Sequence, residues 1–133
     1  AREAGLELSL YVIIGIAGRD RSAVHARNTA SVINAITPDI VRLRTFVPKI
    51  NTALLQEVQN GTFKVLSAHE ALQETLELVS GITVETEIAS DHYTNYINVA
   101  GKFPADRQRM LRAIKEALQR DESDFRPFFI GAQ

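Results

Sequence analysis

Apolar positions gather first in Leu10-Tyr11-Val12-Ile13-Ile14-Gly15-Ile16-Ala17, a continuous run of strand length closed by Gly18. A run without polar alternation predicts a strand buried on both faces, as parallel sheets require. Gly18-Arg19-Asp20-Arg21-Ser22 is turn chemistry, after which the apolar spacing becomes helical as far as Ile36. Ser22 fits the N-cap, and Ala23, Ala26, Ala30 and Ile33 form a stripe spaced by three and four. His25 and Arg27 fall off that stripe and read as solvated positions. Pro38 ends the helix, because its ring and missing N–H cannot continue one. Ile40 to Val47 is β-rich again, so strand to strand takes about thirty residues, the usual size of a βαβ unit.

The second strand has a different rhythm. Val41, Leu43, Thr45 and Val47 share one face, while Ile40, Arg42, Arg44 and Phe46 share the other. Two arginines facing a helix layer would be costly, whereas the inner face of a barrel can hold charges that serve a site. An edge strand with one wet face fits the same pattern. Further on, Thr52 caps a short helix expected from Ala53 to Gln59. Ser67-Ala68-His69-Glu70 matches the capping box of a helix over 68–80, with Ala68, Leu72, Leu76 and Val79 on one side. His69, in its first turn, reads as a surface residue. Ile82 to Ile88 alternates strictly and predicts a third strand with one polar face. Ala100-Gly101-Lys102 is turn-like, and Pro104 suits the first turn of a helix running to about Arg120, with Met110, Leu111, Ile114 and Leu118 inward. Phe125, Phe128, Phe129 and Ile130 make the C-terminal tail too apolar to stay solvated, so it is expected to dock.

The totals narrow the function classes. At 133 residues, with 45% apolar and 23% charged positions, the chain suits one globular domain. A net charge of −1 gives no basic footprint for nucleic acid. No apolar run approaches the roughly 20 residues that span a bilayer. With no cysteine the chain offers no disulfide, thiolate metal site or cysteine nucleophile, and a cytoplasmic setting is the default expectation. The first residues, Ala1-Arg2-Glu3-Ala4 before Gly5, read as the last turn of a helix from a longer protein; a tag or trimmed terminus fits equally.

If the three strands are parallel, their C-terminal ends bring Gly18 to Arg21, Pro48 to Asn51 and Ala89 to Asn95 to one edge, where α/β proteins bind ligands. Asp91, His92, Tyr93 and Asn95 then fall beside Arg42, Arg44 and Phe46 as substrate-side candidates, although His92 and Tyr93 also suit packing. Gly15-Ile16-Ala17-Gly18 is not a dinucleotide fingerprint, and His25, His69 and His92 lack metal-ligand spacing.

Several of these stretches, taken in order, resemble one family. Ala4-Gly5 before Tyr11 to Gly18, then His25-Ala26-Arg27, then Pro38-Asp39-Ile40-Val41-Arg42-Leu43-Arg44-Thr45, is similar to the later part of the barrel in radical S-adenosylmethionine enzymes. Asp91-His92-Tyr93-Thr94-Asn95-Tyr96 with Gly101-Lys102 and Pro104 also looks like a C-terminal signature in that superfamily. The resemblance implies an α/β fold, a β-α-β-α-β-α segment of a partial, six-stranded barrel, with the strand from Leu10 fifth and that from Ile40 sixth. It implies S-adenosylmethionine contacts at Ile14, Gly15, Arg44, Phe46, Val47 and Pro48. The family's C-x-x-x-C-x-x-C motif, which holds a 4Fe–4S cluster, has no counterpart here. The resemblance therefore implies a C-terminal fragment, inactive alone, whose partner is the N-terminal half of the barrel. A cut barrel exposing Tyr11, Ile13 and Phe46 is expected to form a homo-oligomer. The alternative is a self-contained α/β ligand-binding or oligomerisation module.

Overall fold

In a computed structural model of the chain, residues 7–46, 66–90, 95, 96, 98, 100–121 and 125 are described. The order of elements is β1 (Ser9–Ile14), a 3₁₀ turn (Arg19–Arg21), α1 (Ser22–Ile36), β2 (Ile40–Thr45), α2 (Ala68–Gly81), β3 (Thr86–Ala89), β4 (Ala100–Phe103) and α3 (Arg107–Leu118). The four strands form one sheet in sequence order. β1, β2 and β3 run parallel, and β4 returns antiparallel to β3.

The sheet alternation decides where the helices lie. Leu10, Val41, Ile88 and Gly101 stand in register across the four strands. With Val12, Ile14, Leu43 and Phe103 they face α1, α2 and α3, and these side chains join Ala26, Ala30, Ile33, Ala71, Leu78, Val79, Met110, Leu111 and Ile114 in one core. Full burial of a Val, Leu or Ile side chain is worth about 1.5–3 kcal/mol, against about 1 for a helix cap. Packing, not capping, therefore holds the helix layer on the sheet. The opposite face carries Tyr11, Arg42, Ala89 and Ala100 in one register row.

α1 and α2 approach closely because Gly81 has no side chain. A Cβ there would stand 2.9 Å from the Ala30 Cβ. Asn34 completes the junction, donating to Gly81 O at 2.9 Å and accepting from Thr83 N at 2.9 Å. The capping box at Ser67 and Glu70 forms as its spacing predicts.

Several expectations need correction. β1 is buried on one face only, since Tyr11 and Ile13 are exposed. It also ends at Ile14, where Gly15 turns the chain at φ +87°. The strands are not all parallel: the turn-like Ala100-Gly101-Lys102 is the start of β4, too short to show an alternation of its own. β3 starts at Thr86, although burial alternates from Ile82 onward as predicted. Ser22 opens α1 without capping it, and Ala23 is exposed. The helix expected over 53–59 and the residues of both chain ends at 1–6 and 126–133 lie outside the described residues. Of the tail's large apolar residues only Phe125 is described, edge-on to His69 and Tyr96 at 5.9 and 6.0 Å between ring centroids.

Candidate functional site

The C-terminal ends of β1 and β2 bring part of the expected site together. Arg44 lies on the face away from the described helices, its guanidinium carbon 4.7 Å from the centre of the Tyr11 ring. Such a cation–π contact at an exposed position is worth about 0.5–1 kcal/mol, less than the roughly 1.5–3 of a charged hydrogen bond. Arg44 can therefore leave Tyr11 for a carboxylate. Arg42, one pleat earlier on the same face, is half-buried between Tyr11 and Ala89. Two guanidiniums on one open strand face suit an anionic ligand.

Asn95 reaches the same end of the sheet. β3 pairs with β2 only as far as Arg42. Beyond that point the Asn95 amide takes over the sheet edge, donating to Leu43 O at 2.7 Å and accepting from the Thr45 hydroxyl at 2.8 Å. Phe46 is held beside β1 by its N–H bond to Ile14 O at 2.7 Å, and lies next to Gly15.

Ile14 and Gly15 are placed differently from the arginines. The Ile14 side chain is buried in the helix-side core. The Gly15 N–H donates to Glu74 Oε2 at 2.9 Å, again on the helix side. Their carbonyls are engaged too, Ile14 O accepting from Phe46 N at 2.7 Å and Gly15 O from Gly18 N at 3.0 Å, and Gly15 itself is buried. Val47, Pro48, Asp91, His92 and Tyr93 lie outside the described residues.

The most elaborate polar arrangement was not anticipated. Glu74, on α2, is 0% exposed. Its carboxylate accepts from Gly15 N, from Ser22 Oγ at 2.7 Å and meets His25 Nδ1 at 3.0 Å. His25 is thus a partner of a buried carboxylate, not a solvated residue, and Ser22 serves Glu74 instead of capping α1. The geometry is structural rather than nucleophilic: the Ser22 hydroxyl gives its proton to Glu74, whereas an activated serine would give it to the imidazole. A signal existed in the sequence. Glu74 stands three residues after Ala71 and four before Leu78, on the buried side of α2. A carboxylate at such a position requires partners.

His69 is likewise more than a surface residue, with Nε2 2.6 Å from Arg120 O. Among the described residues no group of three histidines or carboxylates is arranged to hold a metal ion, and no helix is long and apolar enough to cross a membrane. A groove of about 560 Å³ lies between α1 and α2, lined by Arg27, Leu76 and Glu77 with small residues. It lies on the helix side of the sheet, not on the face that carries the arginines. Compared with protein-family models, with curated proteins and with solved structures, the chain matches none.

Proposed function

We propose that this chain is the later, S-adenosylmethionine-side segment of a partial (βα) barrel in a radical S-adenosylmethionine enzyme, with the cluster-binding segment upstream of it. The observation that carries the reading is the pair of arginines on a sheet face that none of the described helices covers. Consecutive parallel strands are spatial neighbours, with all three of the described helices on the other face. That is singly wound, as in a barrel, where the helix-free face lines the interior. A doubly wound sheet would cover both faces.

The groups such an enzyme uses fit this chain unequally. A 4Fe–4S cluster does not fit it, since there is no cysteine to ligate iron. No chemical step is therefore assigned to these residues. S-adenosylmethionine fits in part: Arg44 suits its carboxylate, and Phe46 beside the Gly15 turn offers an apolar wall to the adenine. These residues bind and orient. The sheet continues past a sixth strand into β3 and β4, which departs from a minimal six-stranded barrel.

The test is the natural gene product, captured with an antibody against this 133-residue region and purified without oxygen. The reading expects a polypeptide heavier than 14.8 kDa that contains iron. Within it, Arg44→Ala should weaken S-adenosylmethionine binding about tenfold, or 1.4 kcal/mol. An iron-free product of 14.8 kDa overturns the reading. That outcome would leave the self-contained α/β binding module, which the single core shared by all four strands and three helices favours.

A further inference from the structure

The two edges of the sheet are built differently. At β4 the outer edge is closed by the start of α3. Lys102 N donates to Asp106 Oδ2 at 2.9 Å, Lys102 O accepts from Asp106 N at 2.8 Å, and Ala100 O accepts from Arg109 at 2.7 Å. Gly101 makes room for this, since a Cβ there would stand 2.7 Å from the Asp106 Cβ. Natural sheets block their edges in such ways because a free edge recruits other strands.

At β1 there is no such device among the described residues. Leu8 O and Ile14 O accept from residues in or beside β2. By alternation, the N–H and C=O groups of Ser9 and Tyr11 and the N–H of Ile13 point away from the sheet, while Ile13 O accepts from Ile16 N at 3.5 Å in the turn that follows. The strand Ser9-Leu10-Tyr11-Val12-Ile13-Ile14 has no charge, proline or bulge to discourage pairing.

The helix layer above this edge is also unfinished. α1 turns Ala30 and Asn34 toward α2. At about 100° per residue, Val32 and Ile36 lie roughly 160–200° around the helix from Asn34, on the flank that overhangs β1. The exposed large hydrophobics among the described residues are Tyr11, Ile13, Ile16, Val32 and Ile36, each 40–59% exposed. All five belong to β1, its turn or α1. Exposed apolar side chains concentrated on one side mark an interaction surface.

We infer that this flank is the dimer interface of the 133-residue chain, closed by a second copy through antiparallel β1–β1 pairing and α1–α1 packing. A second copy fits because the surface complements itself, as a two-fold interface must. A two-fold axis at Tyr11 sets Ser9 opposite the other copy's Ile13 and forms about four main-chain hydrogen bonds, two between the Tyr11 residues and two from Ile13 N to Ser9 O. No like charges meet along the uncharged strand. The overhanging flank of α1 carries the exposed residues Asn28, Val32, Ala35 and Ile36, with Arg27 turned to the α2 side. Both layers continue across the axis, and two four-stranded sheets become one of eight. The inference rests on this flank alone and not on the reaction proposed above, in which upstream strands of a longer protein would meet the same edge.

Sedimentation equilibrium of the 133-residue chain tests it. The expected mass is twice 14.8 kDa. Tyr11→Pro removes one outward N–H and leaves the ladder to β2, since proline is tolerated where the N–H faces solvent. Val32→Asp brings two carboxylates toward each other across the axis. Each should raise the dimer dissociation constant at least tenfold while far-UV circular dichroism is retained, and the Tyr11 and Ile13 amides should lose their exchange protection. If Tyr11→Pro fails to fold, Val32→Asp, at an exposed helix position, carries the test. A 14.8 kDa monomer at about 100 µM, where even a micromolar dimer would be populated, overturns the inference. So does a dimer that neither variant weakens.

Discussion

Glu74 shows how one buried residue ties three segments together. Its carboxylate holds the turn after β1 through Gly15, the start of α1 through Ser22, and the first turns of α1 through His25. Removing the carboxyl group from such a place strands the Gly15 N–H and Ser22 hydroxyl without their acceptor, and each buried donor left unsatisfied costs about 1–3 kcal/mol. Glu74→Ala should therefore lower the urea-unfolding free energy by about 3 kcal/mol. His25→Ala should cost less, about 1 kcal/mol, because the ring is partly solvated and the other two donors keep their acceptor. A Glu74→Ala variant as stable as wild type would show that the network holds nothing. At this scale the sequence was only half readable. Arg42 and Arg44 could be assigned to one face by period two alone, because a strand's alternation is local. The partnership of Glu74 with residues 49 to 59 positions away could not, because separation in sequence hides contact in space.

At the scale of elements, close approach matters more than propensity. Alanine is the better helix former than glycine by about 1 kcal/mol, so propensity alone predicts that Gly81→Ala stabilises α2. The 2.9 Å contact with Ala30 predicts the reverse, since overpacking a tight interface costs about 1–3 kcal/mol. Net destabilisation is expected, and Ala30→Gly in the same chain should relieve part of it. The coupling in that double-mutant cycle is the readout; simple additivity would mean that the helices do not touch there. At the other end of the sheet, Asp106→Ala should speed amide exchange at Lys102 and cost about 1 kcal/mol, by removing the acceptor for an edge N–H. An unchanged exchange rate at Lys102 would mean that water serves that edge equally well. The elements with clear punctuation were the ones read correctly from sequence. Pro38 ended α1, and the Ser67–Glu70 box opened α2. β4 escaped because four residues centred on a glycine carry no period, and only pairing with β3 makes them a strand.

For the whole molecule, the decisive fact is that one apolar core joins every strand and helix described, while one flank is left open by the described residues. A single core predicts a single cooperative transition, so far-UV circular dichroism and tyrosine fluorescence should trace the same urea curve. The open flank adds a second requirement. If two copies close it, unfolding separates them, and by mass action the dimer is favoured as concentration rises. The urea midpoint should then climb with protein concentration for the wild-type chain. It should stay constant for Val32→Asp, whose unfolding reports the isolated subunit. The slope of the transition separates this from a general loss of structure, because it scales with the surface exposed on unfolding. A subunit that keeps its core but loses its partner should show a lower midpoint, with a slope reduced only by the interface area. Equal midpoints at ten- and hundredfold different concentrations of wild type would mean that the core alone sustains the fold, with β1 left as a solvated edge.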